Sequence, residues 1–340
     1  MPIQRNFGGS MLKWLGIAAS IGMLLSPWLL TRIVGPAPPI TLLGFNMRSD
    51  GRECQGPPES SGVSPSVGAD GRFVAFESIC ADLVPGDTNG VRDVFVHDRQ
   101  TGSRTRVSVD SFGTQGNFES RQPAISGDGH FIAFESVANN LVPSDTNNHS
   151  DVFVHNRLTG VTERVSVDSN GVQANRESRG ATVSDDGRFV CFTSGASNLI
   201  PRDTNGAVDV FVRDRQTGVT ERVSVSSAGN QANDVSNRAS ISPDGRYVVF
   251  ISRATNLVSG LNNGLQHVFV RDRQTGVTEG VSVDSAGNQA DGHSVTAWIT
   301  ADGRFVMFGS TASNLVPGDT PAFSNVFAHD RQTRTTERMF

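Results

Sequence analysis

Long apolar runs are scarce in this chain of 340 residues, and no helical periodicity appears outside a single N-terminal segment. Cysteine is scarce too. Cys54, Cys80 and Cys191 show no Cys-x-x-Cys or Cys/His spacing, which leaves no zinc signature. In an oxidising compartment Cys54 can pair with Cys80, leaving Cys191 in "RFVCF" as a small buried hydrophobe. No run of Lys or Arg occurs and the net charge is −5, so the footprint of a nucleic-acid binder is missing. Also lacking are a phosphate loop, a Ser/His/Asp set, a metalloprotease helix motif and a Gly-x-Ser-x-Gly elbow.

The exception among apolar runs is "WLGIAASIGMLLSPWLL" (14–30), which follows Arg5 and Lys13. A basic flank followed by an uncharged stretch near the lower limit for crossing a bilayer reads as an export signal. No small-x-small cleavage site follows in "TRIVGPAPP". Residues 1–39 are therefore expected to be a signal anchor, or a signal peptide with a linker, containing an apolar helix. The positive flank stays in the cytoplasm and the remainder is exported. The chain is then membrane-anchored with an extracytoplasmic domain, or secreted or periplasmic if the signal is cleaved.

What the sequence has in abundance is glycine, 36 residues, with Ser, Asn and Asp clusters between short Val/Phe-rich runs. This is the composition of an all-β protein with many turns. Asp-Gly before a strand recurs at Asp70, Asp128, Asp186, Asp244 and Asp302, in steps of 58 residues. The phrase "DVFVHDR" and its variants begin at Asp93, Asp151, Asp209, His267 and Asn325, in the same steps. Repetition without insertion or deletion decides the fold question. Each unit resolves into four short strands, in the second unit 122–126, 130–136, 151–157 and 162–168. Tight Asp-Gly turns join the first two, and glycine-bulged turns such as "LTG" and "RQTG" join the last two. The second strand is apolar almost throughout and the fourth alternates, as in a sheet buried inside and wet outside. The expected fold is a five-bladed β-propeller of four-stranded antiparallel blades over residues 40–340. The stretch "GFNMRSDG" (44–51) looks like "RVSVDSNG" (164–171), and residues 40–48 are expected to form a strand that joins the last blade.

"SISPDGRYVVF" (240–250) followed by "HVFVRDRQTG" (267–276) resembles the WD40-like propeller repeat of TolB-type proteins, the PD40 repeat. The resemblance covers about residues 60 to 340 and implies the propeller fold. TolB itself also carries a separate α/β domain before its propeller. About 30 residues separate the apolar run from the first repeats, so a chain without that domain is expected.

Strand order places the long connections, two-to-three and four-to-one, at one end of every blade. Loops set by a rigid scaffold are where binding concentrates. The four-to-one loops deliver Glu119 and Arg121, Glu177 and Arg179, and Asn237 and Arg238 to the starts of inner strands. Converging arginines can clamp a carboxylate or sugar acid; the alternative is that each Arg pairs with its neighbouring Glu.

"DTNGVRD", "DTNNHSD" and "DTNGAVD" give Asp87, Asn89 and Asp93, then Asp145, Asn147 and Asp151, then Asp203, Asn205 and Asp209. They are candidate ligands of a structural calcium ion, or plain Asx turns. Against calcium, position five is Val91, His149 or Ala207 and position six is never Gly. The expected function is non-catalytic binding of a protein or cell-envelope glycan through the long-loop face, by a monomer. The alternative is a carbohydrate-active enzyme at the central channel mouth, with Glu119 and Glu177 as its carboxylates.

Overall fold

The computed structural model describes residues 64–319 and 324–339. The apolar run 14–30, the stretch 40–48 and Cys54 lie outside them. Among the described residues no helix is long and apolar enough to cross a membrane.

Among the described residues all regular structure is β, in five four-stranded sheets whose strands follow chain order. The first comprises β1 (Ser66–Val67), β2 (Phe73–Ser78), β3 (Asp93–Asp98) and β4 (Arg104–Arg106). The second comprises β5 (Ser120–Ile125), β6 (Phe131–Ser136), β7 (Asp151–Asn156) and β8 (Thr162–Arg164). In the third are β9 (Ser178–Val183), β10 (Phe189–Ser194), β11 (Asp209–Asp214) and β12 (Val219–Arg222). The fourth holds β13 (Ser236–Ile241), β14 (Tyr247–Ser252), β15 (His267–Asp272) and β16 (Val277–Gly280), and the fifth β17 (Ser294–Ile299), β18 (Phe305–Ser310), β19 (Asn325–Asp330) and β20 (Thr335–Arg338). Pairing between chain neighbours is antiparallel. The chain divides into two compact units, Met1–Asp145 with Val154–Glu163, and Thr146–Phe153 with Arg164–Phe340.

The second and third strands of each sheet carry its core, with Val and Phe side chains shielded on both faces. Facing phenylalanines stack across them, Phe76 on Phe95 and Phe250 on Phe269, with centroids 5.8 and 5.7 Å apart. Such pairs contribute about 0.5–1.5 kcal/mol beyond the area they bury. In the second unit one apolar cluster joins the third sheet to the fourth through Val212, Ile241 and Phe250, and another joins the fourth to the fifth through Val270, Ile299 and Phe308. Leu83, Leu141, Leu199, Leu257 and Leu315 are buried and anchor the long connections that follow the second strands.

The short-turn end is tied by arginine. Arg72 grips Asp98 with two bonds, at 2.9 and 2.7 Å, and its guanidinium lies 4.6 Å from the Phe73 ring centroid. Arg157 of the next repeat covers the same ring at 4.3 Å. Phe189 is sandwiched in the same way by Arg188 and Arg273, and Tyr247 by Arg246 and Arg331. Hydrogen bonds from the arginines hold the carboxyls of Asp98, Asp214 and Asp330 well below the usual range, and that of Asp272 at about 2. The planar fork explains the residue choice: apart from Lys13, every cation in the sequence is arginine.

The outer strands are shorter than their alternating sequence suggests. After Arg164 the regular ladder ends with one further main-chain bond, Val165 N–H to the Val152 carbonyl at 2.8 Å, followed by an isolated bridge, Val167 to Gln173. Ser166 is the reason. Its hydroxyl is buried, accepts the Val152 N–H at 3.1 Å and donates to Asp151 at 2.5 Å, taking a main-chain donor from the ladder. Cys80 is disulfide-bonded, while Cys191 is free and buried, its thiol pushed up to about 12 by desolvation.

Candidate functional site

The two long connections of a repeat are stitched together by amides. Gln115 donates to the Thr88 hydroxyl at 2.8 Å and accepts the Thr88 N–H at 3.2 Å, while Asn89 donates to the Gly116 carbonyl at 2.9 Å. The same bonds recur between Gln173 and Thr146 and between Gln231 and Thr204. Each four-to-one connection is held on its other side by the following repeat. Asn117 N–H donates to Asn140 Oδ1 at 2.9 Å, and Asn139 N–H to Asn117 Oδ1 at 3.1 Å. Asn175 with Asn198, Asn233 with Asn256, and Asp291 with Asn314 repeat the arrangement. Each bond is worth only about 1 kcal/mol net, but together they fix the backbone of both loops.

The inner-strand candidates stand where these connections end. Arg121 is ion-paired with Glu119, and Arg179 with Glu177 at 2.7 Å, the latter two side chains more than half exposed. Both pairings are local, between residues two apart. Arg238 instead donates to the Val295 carbonyl, and Asn237 keeps its Oδ1 buried without a partner. Within the second unit β9 and β13 run side by side, so Arg179, Asn237 and Arg238 stand at the same end of adjacent inner strands. Sequence reasoning missed the bulge beneath them. Gln122 and Arg238 both have φ of +50°, and Gly180 has +64°. The left-handed region costs a side-chain-bearing residue about 1–2 kcal/mol, and its recurrence in inner strands turns residues out of the ladder. The glycine at 180, in register with 122 and 238, was the available signal.

The Asp/Asn clusters fold around a guanidinium. Arg106 Nη1 lies 3.1 Å from Asp87 and 3.7 Å from Asp93. Arg222 lies 3.1 Å from both Asp203 and Asp209. Asn89 turns its amide donor to Asp93 at 2.9 Å and gives its oxygen to the Val91 N–H, an Asx turn; Asn205 does the same with Asp209 and Ala207. In the second repeat Asn147 donates to Asp151 at 2.8 Å, Arg164 approaches Asp151 at 3.4 Å, and Asp145 is half-buried. Burial pushes the carboxyls of Asp87, Asp93, Asp151 and Asp203 up. Among the described residues no three His, Cys, Asp or Glu side chains are grouped to hold a metal ion.

The strand-three histidines are packing groups. His155 and His329 bond Thr162 and Thr336 at 2.8 and 2.9 Å, where Arg213 and Arg271 bond Thr220 and Thr278. Desolvation lowers both histidines to about 4.

Solved structures similar to the chain include TolB from Acinetobacter baumannii, at 16% identity and a TM-score of 0.48 over 82% of this chain and 53% of that one. The chain thus spans about half the length of that TolB. Oligogalacturonate lyase from Vibrio parahaemolyticus is 14% identical, with a TM-score of 0.48 over 87% of this chain and 64% of the lyase. The β-propeller domain of the Trilobed protease from Pyrococcus furiosus is 11% identical, with a TM-score of 0.48 over 82% and 70%. No family model matches the chain, and no curated protein matches it. The repeated four-stranded antiparallel sheets are read from the chain's own strand order. Identities and scores this low leave activity to be argued from the chain's own side chains.

Proposed function

We propose that the chain is an exported five-bladed β-propeller that binds a protein or a cell-envelope glycan through its long-loop face, without catalysis. One observation carries this reading: the amide network that clamps Gln115, Asn117 and Asn139, and their counterparts in later repeats, gives the loops a fixed backbone. A preorganised surface suits recognition, because little loop entropy is lost on binding. Phe118 and Val137 add half-exposed apolar area in the same loops, at positions that Arg176 and Gly195 hold in the next repeat.

The enzyme reading draws less support. Glu119 and Glu177, its carboxylates, are each engaged by an arginine two residues away. The test is capture of envelope components on the immobilised chain, comparing wild type with Phe118→Asp/Val137→Asp and with Arg121→Ala/Arg179→Ala. Loss of a saturable ligand in either variant supports the loop face. Glycan turnover abolished by Glu119→Gln or Glu177→Gln would replace binding by catalysis.

A further inference from the structure

Arg157 holds a pose that two other repeats use to grip a glutamate. Arg273 stacks on Phe189 at 4.3 Å, donates through Nη1 to the Gly245 carbonyl, and turns Nε and Nη2 to Glu221 at 2.7 Å. Arg331 stacks on Tyr247, donates to the Gly303 carbonyl and takes Glu279. Arg157 stacks on Phe73 at 4.3 Å and donates through Nη1 to the Gly129 carbonyl at 2.8 Å, so two of its three anchors are the same.

The third anchor differs. Glu221 and Glu279 stand 58 residues apart on outer strands β12 and β16, and the same register on β4 is Thr105, an exposed residue. No carboxylate of the described residues reaches the Nε–Nη2 edge of Arg157; the nearby Asp98 spends both oxygens on Arg72. Burial weakens the protonated form of Arg157, with Asp98 and Arg72 acting on it in opposite senses. In the other repeats this edge is reached from solvent, since Glu221 and Glu279 are 43% and 38% exposed.

We infer that the Nε–Nη2 edge of Arg157, at the short-turn end of the first unit, binds a carboxylate that does not come from its own sheets. The site lies at the opposite end of the strands from the long-loop face and stands independently of it. A guanidinium fixed by stacking and by a carbonyl offers two parallel N–H donors, the geometry that carboxylates take bidentately. The chain itself supplies the template, because the same fork in the same pose closes on a glutamate in two repeats.

The test uses the full chain and propionate as the probe. Thermal unfolding is followed as propionate replaces chloride at fixed ionic strength, for wild type, Thr105→Glu and Arg157→Gln. Propionate is expected to raise the wild-type Tm in a saturable manner, as any ligand selective for the folded state does. Thr105→Glu, which copies Glu221, is expected to melt higher in chloride and to lose most of its response, at least about fivefold. Arg157→Gln should not respond; if it fails to fold, the glutamate variant decides alone. An equal response in wild type and Thr105→Glu overturns the inference, as does a wild type that ignores propionate. Stabilisation by phosphate but not by propionate also overturns it.

Discussion

Leu261 occupies the space in which Gly280 carries no side chain: a Cβ on Gly280 would lie 2.4 Å from Leu261 Cδ1. In the repeats on either side the same two positions are an ion pair, Asp203 with Arg222 and Asp319 with Arg338. The third member changes with them. His267 replaces the aspartate seen at 209 and bonds Asn263 and Ser282 at 2.8 and 3.0 Å. One scaffold thus accommodates Asp–Arg–Asp or Leu–Gly–His, as expected where burying charge and packing apolar atoms nearly balance.

Removing only the cation of the third repeat should therefore be costly. Arg222→Met leaves Asp203 and Asp209 facing each other, with side chains 4% and 1% exposed, and is expected to destabilise by about 3–5 kcal/mol. The triple change Asp203→Leu, Asp209→His and Arg222→Gly copies the fourth repeat and should recover most of that loss. Urea unfolding midpoints of the two variants make the comparison.

Chelation should leave the protein unchanged. The position between Asp87 and Asp93 is filled by Arg106, and the amide oxygen of Asn89 is used by Val91. Melting with and without EDTA is expected to give the same Tm. A drop that added calcium reverses would return the aspartates to the role of metal ligands.

Stability should fall as pH drops from 6.5 towards 4. Desolvation holds His155, His267 and His329 at about 4 in the folded state, below the ordinary 6.5. The unfolded chain then binds more protons in that window, so the stabilisation is complete above 6.5 and is lost on descending through the folded values. Each histidine contributes a slope of up to about 1.4 kcal/mol per pH unit. Asp87, Asp93, Asp151 and Asp203, raised by burial, act in the opposite sense at the acid end. His155→Arg with His329→Arg copies Arg213 and Arg271 and should flatten the dependence, read from urea midpoints at pH 7 and 5.

Two glycines of similar φ should respond differently to alanine. Gly129 (φ +75°) would place a Cβ 2.3 Å from Phe73 Cδ2, inside the arginine sandwich, whereas Gly113 (φ +85°) meets nothing within 4 Å. Gly113→Ala is expected to cost about 1–2 kcal/mol, from backbone strain alone. Gly129→Ala should cost clearly more, because the ring or the turn must move. Equal losses would show that the ring yields freely.

The architecture was legible because the period was unbroken: Asp-Gly turns, strand phrases and the leucines at 83, 141, 199, 257 and 315 all repeat in register. The early end of the outer strands was not, since it depends on a serine hydroxyl reaching a main-chain donor in the preceding strand, Ser108 to Val94 and Ser224 to Val210. Nor was the Asp–Arg–Asp arrangement, although its trace was present in the matched changes at 261, 267 and 280. A cluster of aspartates and asparagines looks the same in a linear reading whether a cation or a guanidinium sits among them. At the inner strands, the pairing of Arg179 with Glu177 was one of two readings open in the sequence, and φ at Arg238 was hidden until the backbone placed it beside Gly180 in register.

Thr220 reaches the Val167 carbonyl, Thr278 that of Val225 and Thr336 that of Val283, each across the same interval. Excising 58 consecutive residues from within this array would hand every hydroxyl a carbonyl of the same kind. At the level of DNA, unequal crossing-over between such stretches can therefore lengthen or shorten the gene product while leaving each junction chemically intact.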